Sequence, residues 1–340
     1  MKAVVVDKPG GHERLLLKDL PSADVGPNDV RIAVSHAGVN FADCVVRMGH
    51  YEAAKGKYPI TPGFEFAGVV AEAGAGVTHV KKGERVFGFT RFGGYSSEIV
   101  VPEHQAYAIP AGWSEEECAG IPAVFMTAWY ALRRVARVDA GERVLVHSAA
   151  GGVGIALCQL ASLMGCEVVG VVGMEKKIEV AKGYGASHVV VRSDRLWQDL
   201  EKVAPDGFDV IFDSNGVKTV KEGYKRLRRG GRVVVYGAAD ILPRGSDKPN
   251  LIGLAINYLK VPRFSPFGMT LENRGLLGFN VVFLFDKLDI IRRGMGELVE
   301  WMRDGKIKKV PTTCFPMEQV VEAHRALESG TTVGKMILTT

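Results

Sequence analysis

The chain has 340 residues, of which 47% are hydrophobic and 24% are charged, so its length and composition suit a globular protein of about two domains. No apolar run reaches the roughly 18 residues of a membrane span, and the first residues lack the layout of a signal peptide, so we expect a cytoplasmic protein. The net charge of +5 is small and the basic residues are scattered, which gives no reason to expect a nucleic-acid partner.

The first third of the chain carries short strand-like runs separated by proline and glycine. These runs cover residues 2–6, 30–35, 66–72, 85–89 and 96–101. Because turn residues separate the runs and helical periodicity is scarce, residues 1 to 122 are predicted to form a mostly β domain.

A helix is predicted over residues 123–135, and it leads into the most informative stretch of the chain. Residues 143–147 and 167–172 are short aliphatic runs typical of buried strands. Between them, apolar residues recur every three or four positions as far as Gly165, which indicates a helix. The turn that joins the first strand to this helix consists of small residues: Ala149, Ala150, Gly151, Gly152, Val153 and Gly154.

Strand, glycine-rich turn, helix and strand, in this order, predict a dinucleotide-binding unit. A turn without bulky side chains lets the backbone approach a pyrophosphate closely, and free N–H groups at the start of the helix complete the anion site. Ala149 stands where the first glycine of this fingerprint is usual, and alanine is nearly as small. The alternative is a purely structural turn, because glycine-rich strings also occur by chance in a chain with 41 glycines.

Strands and helices continue to alternate after this unit, which predicts an α/β fold with a doubly wound parallel sheet. Further strands are predicted over residues 188–191, 210–213, 232–236 and 278–285, and further helices over residues 196–203 and 220–227. Between the last two of these strands, residues 238–274 form a long insertion around the apolar segment 251–259.

The tail returns to the mixed character of the first domain. Its predicted elements are a helix over residues 295–302, a strand over 312–315, a helix over 318–327 and a strand over 335–338. We therefore expect one domain built from residues 1–122 and 284–340 and a nucleotide-binding domain built from residues 123–283.

Six strings resemble those of the medium-chain dehydrogenase/reductase superfamily and, within it, the zinc-independent quinone oxidoreductases. In chain order they are AGVNFADCVVRMGHY (37–51), PGFEFAGVV (62–70), VKKGERVFG (80–88), AAGGVG (149–154), DVIFDSNG (209–216) and VGKMIL (333–338). The run GAADILPRGSDKPNL and the later GFN (278–280) look like the vesicle amine transport protein branch. The resemblance implies a Rossmann domain, a GroES-like domain and a homodimer joined through paired sixth strands.

The metal ligands of the zinc-containing relatives are missing. Those relatives use a cysteine near the end of the Ala-Gly-hydrophobic run that opens the first string, and a histidine in a Gly-His-Glu triplet, but here the two positions hold Asn40 and Phe64. Neither an amide nor a phenyl ring is a plausible zinc ligand. Residues 87–102 contain no cysteine, and the five cysteines of the chain form no CxxC pair. We expect no bound metal and reduced thiols.

Without zinc, the resemblance implies hydride transfer from a nicotinamide to an electron-poor double bond, as in a quinone or an enone. The protein must then hold the acceptor and stabilise its developing oxygen anion. The candidates are Asn40, beside the nicotinamide ribose or the acceptor, Tyr51 as a hydroxyl donor, and Asp43 as a support for the loop of Asn40. The alternatives are a turn residue for Asn40, a lid or packing residue for Tyr51 and a helix-start cap for Asp43.

The end of the second strand decides between NAD and NADP. The strand ends at Gly173 without an acidic residue that would hold a ribose 2′-hydroxyl. Lys177 matches the lysine that quinone oxidoreductases use for the 2′-phosphate, and Arg192 follows the third strand. Glu175 argues against this assignment, and a solvated surface position is the alternative for both cations. NADP(H) is the predicted cofactor.

Further cofactor contacts are carried over from the family. They are Thr127, Asn215, Tyr236, Gly237, Phe279 and Lys335. Asn215, Tyr236 and Gly237 follow strands at their carboxyl ends, where open α/β sheets bind ligands. We interpret His147, just before the glycine-rich turn, as a packed strand-end histidine rather than a catalyst.

Two functions from different classes result. The favoured function is a zinc-independent, NADPH-dependent oxidoreductase of a small quinone or enone. The alternative is a lipid- or membrane-associated binding protein that keeps the nucleotide fold with little turnover, in which the apolar segment 251–259 contacts a membrane. For that segment, a dimer interface or a wall of the substrate pocket is favoured over membrane contact.

Overall fold

The computed structural model describes residues 1–240 and 261–340, so the predicted apolar segment 251–259 lies outside the described residues. The described strands, in chain order, are β1 (Lys2–Val6), β2 (Leu15–Asp19), β3 (Asp29–Val39), β4 (Glu65–Ala73), β5 (Arg85–Phe89), β6 (Glu98–Pro102), β7 (Ala106–Ala108), β8 (Arg143–His147), β9 (Glu167–Val172), β10 (His188–Val191), β11 (Phe208–Asp213), β12 (Leu227–Val235), β13 (Gly275–Gly278), β14 (Thr312–Pro316) and β15 (Lys335–Thr339).

The described α-helices are α1 (Phe41–Met48), α2 (Glu115–Ala119), α3 (Pro122–Tyr130), α4 (Gly152–Leu163), α5 (Ile178–Gly183), α6 (Leu196–Val203), α7 (Val220–Lys225), α8 (Pro266–Glu272), α9 (Leu288–Arg303) and α10 (Val320–Glu328). A π-helical segment, Ala131–Ala136, continues α3 and completes the helix predicted over residues 123–135. Within the described ranges, no helix has both the length and the apolar character that crossing a membrane requires.

A mostly antiparallel sheet takes its strands from both ends of the chain. Its order is β14, β15, β3, β4, β5 and β7, with β6 paired to β3. Val30, Ile32 and Val34 on β3 point into the core, as the two-residue period of a strand requires. β15 pairs with β3 in antiparallel fashion and places Met336 opposite Val39. The C-terminal strand therefore completes the sheet of the first domain, as the sequence predicts, and this part of the molecule is GroES-like.

The second large sheet is parallel throughout and has the order β10, β9, β8, β11, β12 and β13. Its inner strands are covered on both faces, so Val144, Leu145 and Val146 on β8 are all fully buried. The strand order runs outward in both directions from β8, which confirms the predicted doubly wound Rossmann sheet. The domain boundaries near residues 122 and 284 stay a prediction.

The sixth strand of this sheet differs from its prediction over residues 278–285. The strand is β13 and ends at Gly278, whereas Val281–Asp286 is a 3₁₀-helix. The side chain of Asn280 accepts a hydrogen bond from the N–H of Val282 over 3.2 Å and starts this turn. The apolar run was misleading because Val281, Val282 and Leu284 are buried on one side of a helical turn, without the alternation of a strand.

Helix α1 lies in the region where the sequence shows few helix signals. Asn40 precedes it, and Asn40 and Asp43 form a capping box in which each backbone N–H meets the other side chain. Gly49, in the left-handed conformation with φ 82°, ends the helix. The helix brings Asn40 to the edge of the cleft between the two sheets.

Candidate active site

A cleft of about 1090 Å³ lies between the antiparallel sheet and the carboxyl ends of the parallel strands. Of the residues proposed from the sequence, it is lined by Asn40, Tyr51, Thr127, Ala150, Gly151, Gly152, Val153, Gly154, Gly173, Lys177, Arg192, Asn215, Tyr236, Gly237 and Phe279. Three proposed residues, Asp43, Ala149 and Lys335, do not line it and lie behind its walls.

The glycine-rich turn forms one wall of the cleft and starts helix α4. Ser148, just after β8, adopts a positive φ of 57°, which turns the chain sharply toward Gly151 at the helix N-cap. A Cβ atom on Gly154 would lie 2.1 Å from the carbonyl oxygen of Ser148, so only glycine fits there. The first N–H groups of α4 lack acceptors within the helix and face an anion-binding position. Ala149 itself is fully buried.

Asn40 lies at the opposite wall, next to a buried ion pair. Lys335 Nζ is 2.6 Å from Glu65 Oε1, and both side chains are almost wholly removed from solvent. The ammonium of Lys335 also donates to the side chain of Asn40 over 2.7 Å. Protein acceptors thus bind the ammonium of Lys335 behind Asn40, and the expected cofactor contact of this residue stays a prediction.

Asp43 supports the loop of Asn40 from below. Its carboxylate accepts hydrogen bonds from the N–H of Asn40 over 2.8 Å, the N–H of Gly63 over 2.9 Å and the hydroxyl of Tyr95 over 3.0 Å. Burial outweighs these hydrogen bonds and raises the pKa of Asp43 to about 7. The side chain is fully buried, so the structure supports the capping role weighed from the sequence and gives Asp43 no contact with the cleft.

Tyr51 forms the apolar end of the same wall. Its ring packs edge-on against Phe64 with centroids 5.6 Å apart, and its hydroxyl donates to Asn280 Oδ1 over 3.1 Å. Burial raises the pKa of Tyr51, so the hydroxyl stays protonated at neutral pH and remains a donor.

Lys177 and Arg192 lie at the far end of the cleft, beyond β9 and β10. Lys177 Nζ donates to the carbonyl oxygens of Gly330 over 2.8 Å and Thr332 over 2.7 Å, which leaves one of its three N–H donors for a ligand. The alternative of a solvated surface position is wrong for Lys177, because this residue is only 6% exposed. Its burial lowers the pKa of the ammonium. Arg192 Nη2 donates to Asn215 Oδ1 over 3.3 Å.

Aromatic rings line the centre of the cleft. Phe279 lies 6.4 Å from Tyr236, with the two ring planes inclined by 29°, and both rings line the cleft. Behind them, Tyr130 packs edge-on against Phe279 with centroids 5.2 Å apart. Phe279 belongs to the turn after β13 rather than to the strand itself, which corrects its predicted position. Phe279 and Tyr236 thus present apolar ring surface of the kind that binds planar ligands.

His147 and the neighbouring strand end have structural roles. His147 is fully buried and packs edge-on against Trp197, and burial lowers its pKa, so the imidazole is neutral. Asp213 Oδ1 accepts from the N–H groups of Asn215 and Gly216, each over 2.8 Å, and shapes the turn after β11. His147 thus fits the packing role inferred from the sequence.

One group of described side chains has metal-ligand chemistry: Cys44, His324 and Glu328, whose ligand atoms lie within 4.8 Å of one another. Arg47 already forms an ion pair with the carboxylate of Glu328, and His12 Nε2 lies 3.2 Å from the other oxygen of that carboxylate. Burial also raises the pKa of the Cys44 thiol, so the thiolate that a metal needs is disfavoured. Cys44, His324 and Glu328 therefore have the contacts of a packed polar cluster.

Three features of the site escaped the sequence reasoning. Glu65, just before the strand predicted over residues 66–72, was given no role, Asn280 was taken as part of a strand, and residues 327–332 were not assigned to the cleft at all, although several of them line it. Glu65 had one available signal, since a carboxylate inside an otherwise apolar strand needs a buried partner. The contacts of the other two depend on distant segments of the chain.

Comparison with known proteins places this fold and site in a family. The chain matches the alcohol dehydrogenase GroES-like domain over residues 26–111 and the zinc-binding dehydrogenase family over residues 184–338. It is 31% identical to the rat synaptic vesicle membrane protein VAT-1 homolog, over 99% of this chain and 84% of that protein.

Two solved structures share the whole architecture. Escherichia coli quinone oxidoreductase complexed with NADPH has a TM-score of 0.86 and 27% identity, with 100% of both chains covered. CurK enoyl reductase has a TM-score of 0.85 and 25% identity, over 99% of this chain and 98% of that one. The chain belongs to the medium-chain dehydrogenase/reductase superfamily, in its quinone oxidoreductase-like branch and with a resemblance to VAT-1 homologues.

Proposed function

We propose that this oxidoreductase-family protein binds NADPH and reduces a small quinone or enone without zinc. One observation carries the proposal: a single cleft holds the glycine-rich turn, the cations Lys177 and Arg192, and the hydrogen-bonding side chains of Asn40 and Tyr51. A dinucleotide and a planar acceptor need these three parts together.

The chain's residues fit NADPH in two places. At the pyrophosphate position, the backbone around Gly154 has no room for a Cβ atom, and the start of α4 offers N–H donors. At the 2′-phosphate position, Lys177 and Arg192 supply positive charge. The space beside Gly173 is open, since even a Cβ atom added to this glycine would have no neighbour within 4 Å. The solved relative from E. coli is complexed with NADPH, which supports the same cofactor here.

When bound, the nicotinamide supplies the hydride, and this chain's residues bind and polarise the acceptor. The amide of Asn40 and the hydroxyl of Tyr51 are hydrogen-bond donors at one wall and would stabilise an oxygen that gains negative charge. The rings of Tyr236 and Phe279, which line the cleft, would hold a planar acceptor and exclude water.

The side chains at the two family positions support zinc independence. Asn40 uses its amide oxygen for the ammonium of Lys335, and Phe64 packs among the rings of Tyr51 and Phe92. Neither residue offers a zinc ligand. We therefore propose that hydrogen bonds replace the Lewis acid of the zinc-containing relatives.

The lipid- or membrane-associated binding protein is less well supported, because the cleft keeps donors and aromatic residues that a passive nucleotide fold would not need. The homodimer and the cytoplasmic location remain predictions. Light scattering after size-exclusion chromatography tests the first, and cell fractionation tests the second.

The proposed activity is tested by following NADPH oxidation with a panel of quinones and enones. NADPH without acceptor and acceptor without protein are the controls, and liposome co-sedimentation is measured in parallel. We expect turnover of at least one acceptor class and NADPH binding in a fluorescence titration. Lipid binding together with no NADPH oxidation for any acceptor would favour the alternative function.

A further inference from the structure

The side chains of Glu65 and Lys335 form an ion pair directly behind Asn40, outside the walls of the cleft. Glu65 is 0% exposed and Lys335 is 3% exposed. Beyond their mutual contact, Lys335 Nζ donates to the carbonyl of Val39 over 2.9 Å, and Glu65 Oε2 accepts from the N–H of Ala123 over 2.7 Å. The pair thus joins β15, β4 and the start of α3 at one point.

This ion pair determines how the side-chain amide of Asn40 is turned. A lysine ammonium can only donate hydrogen bonds, and a carboxylate can only accept them. The amide oxygen of Asn40 must therefore face Lys335, at 2.7 Å, and its nitrogen must face Glu65 Oε1, at 2.9 Å. The reverse orientation would place two donors together and two acceptors together, so the usual ambiguity of an asparagine amide is removed.

The fixed orientation decides what Asn40 offers to a ligand. One N–H of its amide donates to Glu65 Oε1 over 2.9 Å, and the only other contact of the amide nitrogen among the described residues is a long one of 3.5 Å to the carbonyl of Gly38. The second N–H can therefore donate to a stronger acceptor in the cleft that Asn40 lines. The ammonium of Lys335 withdraws electron density through the amide oxygen, and in a buried network such polarisation strengthens the N–H donor. The two neighbours thus leave the amide of Asn40 oriented to donate a hydrogen bond to a ligand in the cleft.

We propose that Glu65 and Lys335 are positioning residues that hold the Asn40 amide as a hydrogen-bond donor to an oxygen atom of a bound ligand. The oxygen is either a ribose hydroxyl of the cofactor or the carbonyl oxygen of the acceptor, two sources of the same chemistry. This inference rests on the proposed reductase function and adds to it two residues that do not themselves touch the ligand.

The test is a double-mutant cycle between the ion pair and Asn40. The ion pair is removed by Glu65→Gln together with Lys335→Met, which leaves no unpaired buried charge, and Asn40 is truncated by Asn40→Ala. Loss of one positioned hydrogen bond lowers kcat/KM roughly tenfold. With Asn40 present, we expect the uncharged pair to cost roughly tenfold. In the Asn40→Ala background we expect less than about a twofold further loss, because coupled residues are non-additive.

A matched control pair lies far from the cleft: Arg232 and Glu142, 2.6 Å apart and partly buried. Arg232→Met with Glu142→Gln should lower the melting temperature without changing kcat/KM. Circular dichroism confirms that each variant is folded. If the uncharged pair does not fold, the same cycle is run with Glu65→Gln together with Lys335→Gln, which keeps polar side chains at both positions without an unpaired buried charge.

The two sources of oxygen are separated by measuring NADPH affinity and kcat independently. A weaker NADPH affinity assigns the donor to the ribose, and a lower kcat at unchanged affinity assigns it to the acceptor. Equal losses in both Asn40 backgrounds would overturn the positioning role, since the pair would then act only on stability. If the wild-type protein neither binds NADPH nor reduces any acceptor, the proposed reductase function is refuted. That outcome is seen before any variant is measured, so it is distinct from a failure of the positioning role.

Discussion

The hydroxyl of Tyr51 donates to Oδ1 of Asn280 over 3.1 Å and so connects the two sides of the cleft. Tyr51 follows α1 in the GroES-like part, whereas Asn280 begins the 3₁₀-helix after β13 of the parallel sheet. A bound acceptor that accepts from Tyr51 must compete with Asn280 for the hydroxyl. An acceptor that takes this hydrogen bond would therefore break a contact that joins the two sides of the cleft.

Tyr51→Phe is expected to lower kcat for a quinone about tenfold, because the ring packing against Phe64 is kept and one hydroxyl donor is lost. Steady-state kinetics with saturating NADPH measure the effect. Tyr184→Phe is the matched control, since its hydroxyl donates to the carbonyl of Lys309 outside the cleft. An unchanged kcat would assign Tyr51 to packing alone.

Lys177→Met is expected to weaken NADPH binding about tenfold or more and to leave NADH binding within about twofold, because a charge-assisted hydrogen bond to the 2′-phosphate is lost. Fluorescence titration with the two cofactors measures the difference. Lys176→Met, at the exposed neighbouring lysine, should change neither affinity. Equal weakening of both cofactors would instead indicate that Lys177 acts through its contacts with Gly330 and Thr332.

Gly154→Ala is expected to destabilise the fold by about 1–3 kcal/mol and to abolish measurable NADPH binding, because its Cβ would meet the carbonyl of Ser148. Thermal melting and cofactor titration report the two effects. Gly183→Ala is the matched control, since no atom lies within 4 Å of the added Cβ. A fully stable Gly154→Ala protein that binds NADPH normally would refute the tight approach of this turn.

The buried carboxyl of Asp43 makes stability depend on pH. Its pKa is raised to about 7 from 3.8, so the folded state holds a proton that the unfolded state has released between these values. The stability contribution of the group is therefore fully present below pH 3.8 and is lost as the pH rises to about 7, by a total on the order of 4 kcal/mol.

Denaturant unfolding at several pH values tests this dependence. The free energy of unfolding of the wild type should fall relative to that of Asp43→Asn as the pH rises from 4 to 7. Above pH 7 the difference between the two free energies should be constant. The exposed substitution Gln198→Ala, which removes no titratable group, should give a difference that does not vary with pH. A pH-independent difference for Asp43→Asn would show that this carboxyl titrates normally.

Removal of metal ions is expected to leave NADPH-dependent reduction unchanged, because Asn40 and Phe64 occupy the ligand positions of the zinc-containing relatives. The measurement is activity after dialysis against a strong chelator, together with metal analysis of the protein. Activity that disappears with the chelator and returns with added Zn²⁺ would contradict zinc independence. Metal analysis of Cys44→Ala then shows whether the cluster of Cys44, His324 and Glu328 is responsible.

The parallel sheet was predictable because its strands are buried on both faces and appear as continuous aliphatic runs. β8, β9 and β10 have the predicted bounds. The same reasoning failed at residues 278–285, since an apolar run suits a strand or a helical turn equally well, and the side chain of Asn280 decides for the turn.

The supports of the site were harder to predict than its walls. Glycine-rich turns and strand ends have local signatures, so most of the proposed cleft residues do line the cleft. Glu65 and Lys335 are 270 residues apart in the chain, and no local pattern reveals that pairing. Asp43 stands where a capping box usually has glutamate or glutamine, which weakened the signal for α1.

The position of β15 has a consequence for how the protein is made. Lys335 contacts Val39 across 296 positions of the chain. During synthesis, β3 therefore cannot pair with β15 until almost 300 further residues have been added. During that time the parallel sheet, whose strands follow one another closely, is able to fold first. Because Asn40 is held by Lys335, we expect the hydrogen-bond donor that faces the ligand to be fixed in place only after the C-terminal strand has been synthesised.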